Sequence, residues 1–312
     1  MNIKLAIKYV DRRNGKYMYE RPFASTFLYW SYNTNTGRLL TRFFLSRRIV
    51  SKLVGWIAQR RLSRRFIPIF VRKAVLNESK KTLDLNKFTC FNDFFIREIK
   101  SGTGFNHDDT GSLIAPADGK LIVYRNIDPD DTFLIKRNIF NLRRFLRDDN
   151  LTVIFSGGTM IIIRLALSDY HHFHFADSGV PSASKLIEGR YYAGGPYDLH
   201  KFTPFYEENK RMITMIESNH FGLVAQIEIG AFTVGSICQV FSPYAAVKKG
   251  WRKGYFELGG STVVLLLRPD VIKVDDDLIS NTLRGLETKV QAGDKIGLSL
   301  LPGDAKIREK MR

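Results

Sequence analysis

Cysteine is nearly absent. The chain of 312 residues has two, Cys90 and Cys238, far apart and in no ligand-like spacing, so neither a disulfide framework nor a cysteine-based zinc site is expected. Both read as buried thiols. Long hydrophobic runs are missing as well: no stretch approaches the roughly 20 apolar residues of a spanning helix. The first residues, Met1-Asn2-Ile3-Lys4-Leu5-Ala6-Ile7-Lys8, lack the apolar core and small-residue cleavage site of a signal peptide, and the expectation is a protein that stays on the cytoplasmic side. No internal repeat of solenoid type and no low-complexity tract is present.

Negative charge is scarce in one place only. Residues 1–80 hold 18 Lys+Arg against 3 Asp+Glu, whereas residues 81–312 hold 30 against 28, so nearly all of the net +17 sits in the first quarter. That quarter also has few Gly or Pro after Pro22, apart from Gly37, Gly55 and Pro68, and reads as helical. Within it Ile49, Val50, Leu53, Val54, Trp56 and Ile57 fall on one helical face, while Arg47, Arg48, Lys52 and Gln59 lie on another. A helix of this kind suits an anionic bilayer, where each basic residue contributes roughly 1 kcal/mol. It equally suits an amphipathic helix packed on its own domain with a solvated basic face.

With 44% hydrophobic and 12% aromatic residues the chain can bury a sizeable core. Beyond residue 85, short β-branched runs recur between turns: Leu121–Tyr124, Thr152–Phe155, Met160–Leu165, Met212–Ile216, Leu223–Ile229, Phe232–Val240, Val263–Leu267 and Val271–Val274. The fold class expected is α+β, a helical basic N-terminal region (1–85) followed by a mostly antiparallel β domain (86–312).

Chemistry concentrates at three places. Gly259-Gly260-Ser261-Thr262 opens the run Val263-Val264-Leu265-Leu266-Leu267, placing a hydroxyl on a flexible turn at the mouth of a buried strand. There Ser261 can approach the Gly260 carbonyl for an N→O acyl shift, although Gly-Gly-Ser-Thr is also an ordinary turn. Asp169-Tyr170-His171-His172-Phe173-His174 follows one apolar run, and Ala115-Pro116-Ala117-Asp118-Gly119-Lys120 precedes another. Asp118, His174 and Ser261 thus form an admissible acid–base–nucleophile set, since such triads are recognised by role and geometry. Asp118-Gly119 is also a good hairpin turn. The three histidines also permit a metal site, but His171 and His174 in a strand point to opposite faces, which argues against one shared ion.

These segments, with Glu208-Asn209-Lys210-Arg211, Ile229-Gly230-Ala231-Phe232-Thr233-Val234-Gly235-Ser236-Ile237 and Lys249-Gly250-Trp251-Arg252-Lys253-Gly254-Tyr255-Phe256-Glu257-Leu258-Gly259-Gly260-Ser261-Thr262, stand in the order and spacing of the phosphatidylserine decarboxylase family, which the chain resembles over about residues 85 to 305. Phe91-Asn92-Asp93-Phe94-Phe95-Ile96-Arg97-Glu98 is similar to the segment that opens the family's catalytic region. Two positions depart from the pattern: His172 stands where arginine is more usual, and Ala115 where serine is common. Thr288 to Gly297 resembles the closing turn of a lipoyl-like hammerhead, in keeping with the family's fold.

The resemblance implies that Asp118 holds His174, that His174 takes the proton of Ser261, and that Ser261 attacks Gly260. Elimination from the resulting ester would cut the chain into 1–260 and 261–312, associated as a heterodimer, with a covalent pyruvoyl group formed from Ser261. The cofactor would form a Schiff base with phosphatidylserine and act as electron sink for loss of CO₂, giving phosphatidylethanolamine. His171 is assigned to the decarboxylation step, as substrate contact or proton donor. No metal is implied.

The implied partner is phosphatidylserine in an anionic membrane, with the protein peripheral on the cytoplasmic side of the cell membrane. A homo-oligomer is left open. Alternatives are a pyruvoyl decarboxylase of another amino acid or serine-headed lipid, or an unprocessed lipid- or nucleic-acid-binding homologue. Aromatic residues do interleave the basic ones, as in Tyr29-Trp30-Ser31-Tyr32. No nucleic-acid module accompanies them, and no nucleic-acid partner is expected.

Overall fold

A computed structural model describes residues 6–20, 25–73, 84–98, 111–128, 133–135, 138–192, 205–231, 236–258 and 261–302. Its strands in chain order are β1 (Ile7–Asp11), β2 (Tyr17–Glu20), β3 (Ser112–Ile114), β4 (Gly119–Arg125), β5 (Phe133–Ile135), β6 (Asn138–Phe140), β7 (Thr159–Leu165), β8 (His172–His174) and β9 (Gly179–Pro181). They continue as β10 (Lys185–Ile187), β11 (Arg211–Ser218), β12 (Gly222–Gly230), β13 (Ile237–Gln239), β14 (Arg252–Phe256), β15 (Ser261–Leu267), β16 (Ile272–Val274), β17 (Glu287–Val290) and β18 (Lys295–Ser299).

Ten of these form one sheet in the order β10-β11-β12-β15-β7-β4-β17-β1-β2, with β9 also on β11. Every named pairing is antiparallel except β1 on β17. The fold is therefore α+β with mostly antiparallel sheets. Strand β15 lies in the middle, paired along its whole length with β12 on one side and β7 on the other. Alternation sends Val264 and Leu266 into one core, with Ile162 and Ile122. Val263 and Leu265 enter a second core with Ile163, Leu121 and Phe173. Both faces are covered, which is why the run is continuously apolar rather than alternating.

Over the second face lies the small sheet β13-β14-β8, which carries His172–His174. Gly254 of β14 admits this packing, since a Cβ there would lie 2.6 Å from the Phe173 ring and 2.2 Å from the Cys238 carbonyl. Between the sheets the Lys253 ammonium sits 2.9 and 2.8 Å from the two Glu228 oxygens and 3.0 Å from Gln239 Oε1.

Three expectations need correction or addition. Thr152–Phe155 is not a strand but the end of a helix, Asp149–Phe155. The Asp148 side chain caps it by accepting from the Leu151 N–H, and capping outweighs the β-propensity of Thr-Val-Ile-Phe. Within the run expected at Phe232–Val240 only Ile237–Gln239 is strand, while 232–235 lie outside the described residues. The basic segment is mainly helical, including Arg48–Ala58 and Phe66–Lys73, but its first part adds β1 and β2 to the main sheet. Cys90 is buried and Cys238 half-buried.

Lys253 and Glu228 are both fully buried. Lys253→Met should therefore destabilise the protein by about 3–5 kcal/mol in denaturant unfolding, because it strands a buried carboxylate, whereas Lys253→Met combined with Glu228→Leu should cost much less.

Candidate active site

Ser261 is the first residue of β15 and is buried, pairing with Leu165 of β7 and Gly230 of β12. Its Oγ has no hydrogen-bond partner among the described residues. Side-chain alternation turns it toward the second face, the one covered by β8. Gly259 and Gly260, and so the bond expected to break, lie outside the described residues.

The two motif histidines are held from behind. His171 Nδ1 is 2.8 Å from the carbonyl of Asp169, and His174 Nδ1 is 2.9 Å from the carbonyl of Gly250. A carbonyl only accepts, so each Nδ1 carries the proton and each Nε2 presents its lone pair. Burial is the main cause that pushes His171 down to about 3 and His174 down to about 4. Both are thus neutral bases at ordinary pH. His171 Nε2 is buried without a partner among the described residues, and the ring lies 3.9 Å from that of Phe95. His172, at the position where arginine is more usual, stacks on Tyr170 at 4.7 Å and places its Nε2 2.8 Å from the Ile96 carbonyl. The three imidazoles therefore point to three separate backbone carbonyls. Among the described residues no three His, Cys, Asp or Glu side chains group to hold a metal ion.

Asp118 lies where the chain passes from β3 in one small sheet to β4 in the large one, so Asp118-Gly119 is a crossover rather than a hairpin turn. Gly119 lets the chain cross close to β7, because a Cβ there would meet the Arg164 carbonyl at 2.6 Å. The Asp118 carboxylate accepts from the Ala292 N–H at 2.8 Å. Burial raises it to about 6, opposed by that hydrogen bond. Two residues before it, the Pro116 carbonyl accepts from the His174 N–H at 2.7 Å, which ties this segment to β8.

The fold thus brings Asp118, His171, His174 and Ser261 to one end of the sheet. In the described contacts the partner of His174 Nδ1 is Gly250, and that of Asp118 is Ala292. Sequence reasoning passed over these backbone partners and Phe95. It also passed over Asn92, whose Oδ1 accepts from the Leu258 N–H at 3.0 Å just before the Gly-Gly pair.

Residues 91–298 match the family model for phosphatidylserine decarboxylase. Phosphatidylserine decarboxylase proenzymes of Desulfitobacterium hafniense (38% identical over 94% of this chain and 98% of the relative), Clostridium botulinum (36% over 93% and 99%) and Clostridium perfringens (37% over 93% and 99%) are similar along almost their whole length. A chain with this mostly antiparallel sheet and these relatives is a carboxy-lyase. The chain belongs to the phosphatidylserine decarboxylase family.

Burial of Asp118 sets a testable linkage. Its folded pKa is raised, so the ionised group opposes folding above about pH 6, and the penalty disappears below the unfolded value of about 3.9. Asp118→Asn should accordingly raise unfolding free energy at pH 8 by roughly 1–2 kcal/mol, discounted for its half-buried position, with the gain gone near pH 4 in the same denaturant titration.

Proposed function

We propose that this chain is a self-cutting phosphatidylserine decarboxylase whose cofactor arises from Ser261. The observation that carries the reading is a buried serine at the head of β15, whose hydroxyl has no partner among the described residues, at the sheet end that also carries two neutral imidazoles with Nδ1 held by backbone carbonyls. His174 Nε2 takes the Ser261 proton, and Oγ attacks the Gly260 carbonyl. The peptide N–C bond yields to an ester, elimination then releases residues 1–260 with a carboxylate on Gly260, and the dehydroalanine left at 261 takes up water and loses ammonia to become a pyruvoyl group. Asp118 contributes its negative charge at the same sheet end while Gly250 holds the His174 tautomer. The pyruvoyl group left at 261 would supply the electron sink for loss of CO₂. The residues fit such a group: position 261 is dry and heads a strand paired on both sides. His171 serves the later reaction, and its bare Nε2 has to take up a proton before returning one to the substrate Cα.

The fragments should remain one body after cutting. Residues 261–312 contribute β15, β16, β17 and β18, and β15 is flanked on both sides by strands of the larger piece.

The arm (1–85) is read as the membrane-associating region and 86–312 as the catalytic region. Helix Arg48–Ala58 buries its small residues Ser51, Gly55 and Ala58 and exposes Ile49 (80%), Leu53, Trp56 and Ile57, so its apolar face is turned away from the protein. Phe43, Phe44 and Phe66 are exposed nearby in the chain. A cavity of about 670 Å³ lined by Arg47, Arg48, Arg147 and Arg190 opens at the start of this helix. Apolar side chains among cations favour the cytoplasmic face of an anionic bilayer. No helix of the described residues is long and apolar enough to cross it.

Purified wild type should run as two fragments, with a pyruvoyl group by mass spectrometry at the start of the smaller, and Ser261→Ala should stay a single inactive chain. His174→Ala should remain uncut, since a positioned base contributes about 10²–10⁴-fold, whereas His171→Ala should be cut and decarboxylate slowly. Cutting should slow as pH falls through about 6, where Asp118 loses its charge, and not before. An intact, active wild type would overturn the reading. In flotation with anionic vesicles, Ile49→Ser with Trp56→Ser should shift the protein to the unbound fraction, while vesicles of neutral lipid should bind wild type weakly.

A further inference from the structure

Six charged side chains alternate in sign along a line that ends at the catalytic loop. Glu287 receives Arg164 Nη2 at 2.8 Å and Nε at 3.1 Å, and the same Nη2 lies 3.1 Å from Glu20 Oε2. That Glu20 oxygen is 3.4 Å from Lys120 Nζ, which in turn reaches the two Asp169 oxygens at 2.8 and 3.2 Å. Arg97 stands on the far side of Asp169 and donates to the neighbouring Ser168 carbonyl at 3.3 Å. Three cations thus balance three carboxylates. Lys120, Arg164, Glu287 and Arg97 are buried, and Glu20 and Asp169 half-buried.

The route of this line matters more than its length. Lys120 and Arg164 are directly paired across β4 and β7, and Ser261 pairs with Leu165, the next residue, so the two cations project from the face opposite to Ser261. Asp169 carries the connection round the end of the sheet. Its Oδ2 accepts from the Ala166 N–H at 2.8 Å, closing the loop that follows β7, and its own carbonyl holds His171 Nδ1. If the loop relaxes, that acceptor is lost and the imidazole is free to turn or to carry its proton on Nε2. Glu20 lies on β2, the edge strand that the basic segment adds to the sheet.

We infer that Lys120 and Asp169 are positioning residues for His171, and that Glu20 of β2 keeps Lys120 in place, so that seating of the N-terminal strands bears on decarboxylation without touching substrate. The inference rests on the part given to His171 above. A merely structural network would alter stability and leave turnover of the folded, cut enzyme intact; a positioning network lowers kcat with KM preserved.

The test uses the full chain after self-cutting, assayed on phosphatidylserine in detergent micelles for kcat and KM, with a gel for cutting and thermal melting for folding. Lys120→Met should be cut and folded, with kcat down about tenfold or more and KM within about twofold of wild type, since small misplacements of a reacting group cost this much or more. Glu20→Gln should show the same split to a smaller extent, and Lys120→Arg should recover much of the lost kcat. The inference is overturned by a folded Lys120→Met that keeps wild-type kcat, that loses only KM, or that stays uncut, and by Lys120→Arg performing no better than Lys120→Met. If Lys120→Met does not fold, Glu20→Gln and Asp169→Asn decide, and wild-type kcat in both overturns it. A wild type that is never cut or releases no CO₂ speaks instead against the proposed function.

Discussion

The pairing of β15 on both of its edges is the constraint on which the site depends. Seven consecutive residues, Ser261–Leu267, are buried, with apolar side chains filling cores above and below the sheet. A slip of one residue against β7 or β12 would exchange the two faces and drive Ser261 and Thr262 into each other's surroundings, so the register is strongly specified. The hydroxyl of Ser261 is placed by apolar packing further along its own strand.

The same burial sets the electrostatics. Burial keeps His171 and His174 neutral by pushing them down and moves Asp118 up to about 6, with desolvation the largest cause in each case. Charge is gathered on the opposite face and in separate pairs such as Lys253 with Glu228, where each ion finds an opposite partner. A sheet with both faces covered makes this separation natural, because adjacent residues in a strand point into different environments. Leu165 faces the serine's side while Arg164 faces the ions.

Much of this was legible in the residues. Strand runs at Met160–Leu165 and Val263–Leu267, the position of Ser261 at a strand mouth, and the α+β class all follow from period, β-branching and turn composition. The helix at Asp149–Phe155 was hidden because its decisive residue, Asp148, precedes the run that looked like a strand. Strands β1 and β2 were hidden because the partner of Ile7–Asp11 is β17, at the other end of the chain. The holders of the histidines were hidden for a different reason. They are the carbonyls of Asp169 and Gly250, and a backbone carbonyl leaves no mark on residue type. Ala292, which restrains Asp118, acts through its N–H and is equally silent.

The parallel pairing of β1 with β17 joins Tyr9 to Glu287 and Asp11 to Lys289. Of all contacts in the sheet it spans the longest stretch of chain, and contacts of that range form late because loop closure must come first. A ribosome has to reach about residue 290 before the first strand can find its seat, by which time β15 is already made. Synthesis from the N-terminus therefore ends with the sheet being closed by its own beginning. A truncated chain lacking β17 leaves the β1–β2 hairpin without its seat on the main sheet, and Glu20 without what brings it to Lys120.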